Sequence, residues 1–434
     1  MHDWVREAAR RRPDHVAVEA PDGAHTYAQL DAAVDRCARR LAALGVGEGD
    51  RVATTLPPSR SVCELLHALP RVGAALVPLS TRLPEPEQRR QGELAGALLT
   101  VAEPLDGLEA RVAPRTTLDP AAVHSVLFTS GTGGAAKAVA LTISNQAAAA
   151  AASEAALGSD PGDRWLCPLP LFHIGGLAIL VRCARAGTTA VLHERFSAVA
   201  VGATLEAGEA TLASLVPTML ARLRSAGLRS APALRALLLG GGPSPPYLLD
   251  WARDRRIPVR CTYGMTETCS QVAVADACEP AGRPVPGAEI EIGPGEEIIV
   301  RGPMVAAARA DAEGWIATGD RGHFDPQGRL HVEGRIDDLI LTGGEKVSPA
   351  GVEAVLLAHP ALKDAAVAGT ASAEWGEEVT AYVVERAPVS DYDLLSFCRE
   401  HLAGYQVPKR IERVERLPRN AAGKLLRAAL GATE

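Results

Sequence analysis

Between Thr26 and Cys261 short apolar runs alternate with helix-like stretches, and this alternation restricts the chain to an α/β fold more than any other feature does. Tyr27 to Leu44 carries apolar residues at helical spacing, whereas Arg51 to Thr55 and Ala74 to Leu79 are strand-like, with Gly45, Gly47 and Gly49 marking the turn between them. The rhythm returns in the strand-like runs Ser125 to Phe128, Thr188 to Leu192, Thr211 to Val216, Ala236 to Leu239 and Ile257 to Cys261. Strands that alternate with helices are joined by crossovers, which predicts a parallel sheet covered on both faces. The six alanines Ala147 to Ala152 fall in a predicted helix, where small side chains suit close packing.

The pattern changes after about Ala281. Short, glycine-punctuated strands at Glu289 to Ile292, Glu297 to Arg301 and Leu330 to Glu333 predict a small antiparallel or barrel-like portion. From Ile336 the order strand, turn, helix, strand, helix predicts an independent α+β domain of about a hundred residues. The chain has 434 residues, more than the roughly 250 to 300 at which a single core stops growing. The expected division is a large N-terminal domain, residues 1–334, and a small C-terminal domain, residues 335–434, hinged at Arg335 to Asp338.

Composition excludes several classes. Hydrophobic residues at 47% and charged residues at 22% are ordinary for a globular protein. A net charge of -7, with both signs interspersed, lacks the basic stripe that a nucleic-acid surface needs. Arg10, Arg11 and Arg12 read as a solvated helix face. The start MHDWVREAARRRPD has charges where a signal peptide needs an apolar core, and nothing later supplies the roughly 18 apolar residues of a membrane span. A cytoplasmic protein with no integral membrane segment is expected. The eight cysteines form no CxxC pair and mostly sit in apolar runs, so buried reduced thiols are expected rather than a metal site.

Four segments carry candidate chemistry. FTSGTGGAAK, Phe128 to Lys137, follows an apolar strand and is expected to precede a helix; its hydroxyls, backbone amides and lysine can all donate to phosphate oxygens. It is not a Walker loop, because Ala136 precedes the lysine and Ala138 follows it. In TYGMTET, Thr262 to Thr268, Tyr263 can stack on a base, Gly264 permits close approach, Thr266 can meet a phosphate and Glu267 can hold Mg²⁺ through oxygen. The glycine loop ending in Gly241, Gly242 and Pro243 can let backbone approach an adenine. In WIATGDRG and GRIDD, Asp320 can accept from both ribose hydroxyls, with Arg335 as a donor beside it. Lys424 follows a glycine in LPRNAAGKLLR near the end of the chain.

Taken in this order, the segments resemble the adenylate-forming superfamily of acyl-CoA synthetases, adenylation domains and luciferases. By position, Thr129, Ser130, Gly131, Thr132 and Lys137 then inherit the ATP phosphates, while Tyr263, Thr266, Glu267, Asp320, Arg335 and Lys424 match the adenine, Mg²⁺, ribose and catalytic positions. Gly133 and Ala136 depart from the family's usual Ser or Thr and Pro. The resemblance implies that the small domain is mobile, with Asp337 as its hinge, and that Gly343 and Gly344 border the channel for coenzyme A. Within the superfamily, WLCPLPLFHIGGLAIL, LLLGGGPSPPYLLD and IPVRCTYGMTETCSQ are most similar to the o-succinylbenzoate-CoA ligases of menaquinone biosynthesis. That branch implies a small-molecule acid, ATP and CoA as partners, with His173, Ser270 and Gln271 at the acid. Alternatives are a ligase for another small aryl or short-chain acid, a free-standing adenylation enzyme loading a carrier protein, and a nucleotide-binding regulatory protein with a degraded site. The sequence leaves oligomeric state open, a homodimer included.

Overall fold

The computed structural model describes residues 1–130, 136–419 and 425–431. The chain divides into two compact units: Met1–Gly241 with Ala252–Glu289 and Val300–Ile316, and Gly242–Trp251 with Ile290–Ile299 and Ala317–Glu434.

The first unit holds two sheets. In one, the parallel strands Leu99–Val101, Arg51–Thr54, Ala75–Pro78 and Val123–Ser130 end on the antiparallel strand Ala136–Thr142. In the other, Arg164–Cys167, Leu212–Leu215, Ala236–Leu239 and Val259–Met265 run parallel, and Ser270–Ala275 turns back antiparallel beside the last. The central strands of this second sheet are buried along their whole length, as the continuous apolar runs require of a sheet covered on both faces. Helix Tyr27–Ala43 starts on a Thr26 and Gln29 capping box, and helix Ile143–Leu157 on an equivalent one made by Thr142 and Asn145. Ala149, Ala150 and Ala152 of the alanine run are buried.

One expectation is corrected here. The hydroxyl-rich segment is followed by the strand Ala136–Thr142, and only then by a helix at Ile143. Val139 and Leu141 are buried between more open neighbours, a period of two that favours a strand and folds Lys137 back opposite Thr129. The N-terminal arginines also do more than face solvent: Arg12 donates to the carbonyls of Pro161 at 2.6 Å and Gly187 at 2.8 Å.

In the second unit the strands Trp315–Phe324 and Leu330–Arg335 pair antiparallel, within the order Glu289–Ile292, Glu297–Arg301, Trp315–Phe324, Leu330–Arg335. The one-turn 3₁₀ helix Ile336–Asp338 follows. A separate core of Ile340, Val347, Val352, Leu356, Val367, Val383 and Leu394 then joins the helices Pro349–Ala358 and Asp391–His401 to a sheet built on Leu362–Ser372 and Gly376–Glu385.

All eight cysteines are free and buried, as the sequence predicts, and burial pushes the Cys37, Cys167 and Cys183 thiols up to about 12. Two buried histidines give the first unit an acid-sensitive core. His124 is fully buried beside Trp4, neither ring nitrogen has a hydrogen-bond partner among the described residues, and burial pushes it down to about 3. His67 is pushed down to about 4 by burial, with Asp3 and Arg71 as its charged neighbours. Unfolding lets both rings return to about 6.5, so the unfolded chain takes up protons that the native one refuses. Their contribution is intact above that pH and is lost as pH falls towards 4, by about 1.4 kcal/mol per pH unit for each ring. Urea midpoints are expected to fall between pH 7 and pH 5, and His124→Phe is expected to flatten that slope; equal slopes would show that these rings do not govern it.

Candidate active site

The site in the first unit is built around a tight hairpin. Strand Val259–Met265 passes through the 3₁₀ turn Thr266–Thr268 into strand Ser270–Ala275, pairing Gly264 with Gln271 and Met265 with Ser270. A Cβ on Gly264 would lie 1.7 Å from the Ser270 carbonyl oxygen, so only glycine fits there. Cys269 and Ser270 take φ values of +52° and +101°, a left-handed path that non-glycine residues seldom adopt. Thr268, buried in the turn, stabilises it: its Oγ1 accepts from Met265 N–H at 3.0 Å and lies 3.0 Å from the Ser270 carbonyl.

The hairpin of Val123–Ser130 and Ala136–Thr142 sits beside this turn. Strand Ala136–Thr142 packs against Thr266–Thr268, and Thr129 faces Lys137 across the strand pair, its Oγ1 3.4 Å from the Lys137 carbonyl oxygen. Lys137 is exposed, so its ammonium stays hydrated and free to turn to a phosphate. Asn145 Nδ2 donates to the carbonyls of Pro303 and Val305, both at 2.9 Å, and the next amide, of Ala306, donates to the Glu267 carbonyl at 2.8 Å. Helix, crossing segment and turn are thereby locked together, which fixes the half-buried Glu267 by its backbone and leaves its carboxylate as a hard oxygen donor suited to Mg²⁺. Tyr263 is half-buried on the last strand before the turn. Behind Thr262, a Cβ on Gly240 would come within 2.4 Å of Thr262 Oγ1; Gly241 takes φ +78°, and Gly242 and Pro243 are exposed.

The residues expected at the acid lie on two elements, His173 at the start of helix Ile174–Ala186 and Ser270 with Gln271 on the hairpin. His173 caps helix Ile174–Ala186, its ring 4.6 Å from that of Phe172, and burial with Arg82 nearby pushes it down to about 4, so it is neutral at pH 7. Among the described residues a Cβ on Gly175 would have only Leu169 near it, at 3.5 Å, whereas a Cβ on Gly176 would meet the Pro170 carbonyl oxygen at 2.5 Å. Ser270 is half-buried on the strained turn. Gln271 is buried and donates to Ser153 Oγ at 3.3 Å, tying the hairpin to helix Ile143–Leu157. Arg182 belongs to none of the motifs that the sequence singles out. It is buried on helix Ile174–Ala186 over the Trp165 ring at 5.2 Å, its Nε and Nη2 have no hydrogen-bond partner among the described residues, and burial lowers it to about 10. An arginine set directly after the apolar residues Ile179, Leu180 and Val181 is the only sequence signal for it.

In the second unit Asp320 and Arg335 are paired across adjacent strands, with Arg335 Nη1 donating to Asp320 Oδ1 at 3.2 Å and to the Thr318 carbonyl at 2.8 Å. Gly319, at φ +71°, lies under that guanidinium, which a Cβ would meet at 2.7 Å. Asp337 is exposed in the turn Ile336–Asp338. Gly343 and Gly344, at φ +58° and +86°, form the two-residue turn between Ile340–Thr342 and Glu345–Val347, as such a hairpin turn demands. Gly131, Thr132, Gly133 and Lys424 lie outside the described residues, and of Ser130 only the backbone is described.

A hydroxyl-bearing strand end of one sheet beside an oxygen-donor turn of the other suits a nucleotide-dependent enzyme. The chain belongs to the AMP-binding enzyme family, whose model matches residues 5–308, and residues 351–424 match the C-terminal domain of AMP-binding enzymes. It is 39% identical to the 2-succinylbenzoate–CoA ligase of Bacillus licheniformis, over 99% of each chain. It is 37% identical to that of Bacillus subtilis, over 99% of this chain and 97% of the relative. Among solved structures it is similar to the o-succinylbenzoate CoA synthetase (MenE) of Bacillus subtilis in complex with the acyl-adenylate intermediate OSB-AMP. There the TM-score is 0.93 at 36% identity, covering 100% of this chain and 99% of the other. The same synthetase in complex with ATP and magnesium ion gives 0.92 at 36% identity, covering 99% of each chain. Among the described residues no helix is long and apolar enough to cross a membrane.

Proposed function

We propose that this chain is an AMP-forming acid-CoA ligase acting on o-succinylbenzoate. It joins the acid to the α-phosphate of ATP with release of pyrophosphate, then passes the acyl group to coenzyme A to give the acyl-CoA and AMP. The observation that carries this reading is end-to-end similarity, at 39% identity over 99% of both chains, to a 2-succinylbenzoate–CoA ligase.

A carboxylate and a triphosphate repel each other, so the chain must supply positive charge and alignment. Thr129, Ser130, Gly131, Thr132 and Lys137 hold the phosphates, Tyr263 and the Gly241, Gly242, Pro243 loop hold the adenine, and Asp320 with Arg335 holds the ribose. Glu267 and Thr266 hold Mg²⁺ and the reacting phosphate; the ion supplies further neutralisation of phosphate charge when bound. Lys424 meets the oxygen charge that develops in adenylation. The substrate has two carboxylates, one reacting and one not. Neutral His173 and Ser270 line the acid, and Arg182, a buried cation with two nitrogens that lack a partner among the described residues, suits the carboxylate that does not react. Residues 1–334 form the domain for ATP and acid, and 335–434 the mobile domain that turns about Asp337 and brings Gly343 and Gly344 to coenzyme A. The reaction belongs to the cytoplasm, where ATP and CoA are at hand.

The test is CoA-dependent AMP formation with o-succinylbenzoate, benzoate and a fatty acid. The aryl diacid is expected to exceed benzoate in kcat/KM by at least about 100-fold, because benzoate leaves buried polar groups unpaired. A preference for benzoate or the fatty acid would overturn the substrate while leaving the reaction class.

A further inference from the structure

Strand Ala136–Thr142 is the last of its sheet, and an arginine from a distant part of the first unit reaches it. Arg309 Nη2 donates to the Ala138 carbonyl at 3.0 Å. A guanidinium carries further N–H donors in a fixed fork, and this bond leaves the rest of them unused. Among the described residues they have no hydrogen-bond partner, and no carboxylate lies within ion-pair distance of Arg309. Lys137, one position before Ala138, is exposed and likewise pairs with no carboxylate among the described residues.

The backbone of Arg309 is fixed by the site it stands beside. Met304, Val305 and Ala306 are buried, Asn145 holds the carbonyls of Pro303 and Val305, and Ala306 N–H is bound to the Glu267 carbonyl. Arg309 then ends the 3₁₀ turn Ala307–Arg309, its own N–H donating to the Ala306 carbonyl at 2.9 Å. One short segment therefore meets both parts of the site, the turn of Glu267 through its backbone and the strand of Lys137 through its arginine. Two cations without a carboxylate, at neighbouring positions of one strand, form a place for a polyanion.

We infer that Arg309 is a second cation for the triphosphate, sharing with Lys137 the phosphates beyond the α-phosphate and the pyrophosphate that leaves. The inference rests on the reading of the Thr129 and Lys137 hairpin as the phosphate site. Base, ribose and Glu267 place the α-phosphate at the turn Thr266–Thr268, so the outer phosphates extend towards the other hairpin, where Arg309 is anchored. When the acid oxygen bonds to the α-phosphorus, the bond to the bridging oxygen breaks and its electron pair stays with pyrophosphate. Negative charge then grows on the side that the two cations face. The bond to Ala138 holds the guanidinium in place beforehand, which lowers the ordering cost of meeting that charge. A purely structural role would use the same bond to cover the open strand edge, and charge is what separates the two.

The experiment compares, in the full-length enzyme, ligands with and without the outer phosphates. Arg309→Ala is expected to lower kcat/KM for ATP by about 10-fold and to raise the inhibition constant of pyrophosphate by a similar factor, the size of one lost charge-assisted hydrogen bond. Inhibition by AMP and CoA-dependent consumption of synthetic acyl-adenylate should stay within about twofold, because neither ligand carries those phosphates. Arg309→Lys keeps the charge and is expected to recover most of the loss. Arg309→Gln keeps a donor for the Ala138 carbonyl without the charge, and is expected to match Arg309→Ala. Equal recovery by Arg309→Gln and Arg309→Lys would make the bond to Ala138 the whole role and overturn the inference. Equal weakening of AMP and pyrophosphate, or no change in either, overturns it as well. Should Arg309→Ala not fold, Arg309→Lys and Arg309→Gln carry the same comparison. Unchanged pyrophosphate inhibition in Lys137→Ala would instead overturn the reading beneath it, and is scored separately.

Discussion

Lys424→Ala is expected to slow acyl-adenylate formation by about 100- to 1000-fold, the magnitude seen when one donor to a developing oxyanion is removed. The α-phosphate gains negative charge as the acid attacks it, and a lysine ammonium placed there acts on the transition state more than on bound substrate. KM for ATP should therefore move little while kcat falls. Thioester formation from supplied acyl-adenylate should persist, because that step expels AMP and needs no charge at the departing pyrophosphate. Rapid-quench measurement of adenylate checks this. Unchanged adenylation would remove Lys424 from the mechanism, and a parallel loss in both steps would assign it a structural role.

The second large effect is expected from a single methyl group. Gly264→Ala puts a carbon 1.7 Å from the Ser270 carbonyl oxygen and 2.8 Å from Gln271 Cα, both backbone atoms that no rotamer change can clear. The hairpin must open, and with it go the Thr268 bonds that hold Met265 and Ser270. A loss of about 3 to 5 kcal/mol in stability is expected, with adenylation falling further because Tyr263, Thr266 and Glu267 flank the distortion. Gly242→Ala is the comparison, since among the described residues nothing lies within 4 Å of its Cβ position. Equal melting temperatures for the two variants would show that the hairpin yields at little cost.

Much of this architecture is legible in the residues. The apolar runs at Thr211 to Val216 and Ala236 to Leu239 form fully buried parallel strands because a sheet covered on both faces needs continuous apolar stretches rather than alternation. The order of glycine- and hydroxyl-bearing segments is equally visible, since phosphate binding demands small residues and donors close together in sequence. The strand Ala136–Thr142 is hard to see because its burial alternates weakly and glycine-rich chain precedes it. Gln271 stands beside the nucleotide motif, which suggests a pocket residue; strand parity turns it inward to Ser153. Arg182 and Arg309 are illegible for a different reason. A guanidinium's worth depends on which groups lie within reach in space, and neither the lack of a partner for two Arg182 nitrogens among the described residues nor the presence of the Ala138 carbonyl beside Arg309, 171 positions away, is written in local sequence.

The burial of every native thiol has a practical consequence for following motion in this enzyme. Thiols buried inside the fold react slowly with maleimides, so wild-type protein offers a silent background and no cysteine-free version is required. Cysteines introduced at Val199, 77% exposed, and Tyr392, 75% exposed, would put one dye on each compact unit. Energy transfer between them would then report, turnover by turnover, whether ATP, acid and CoA shift the distance separating the two bodies.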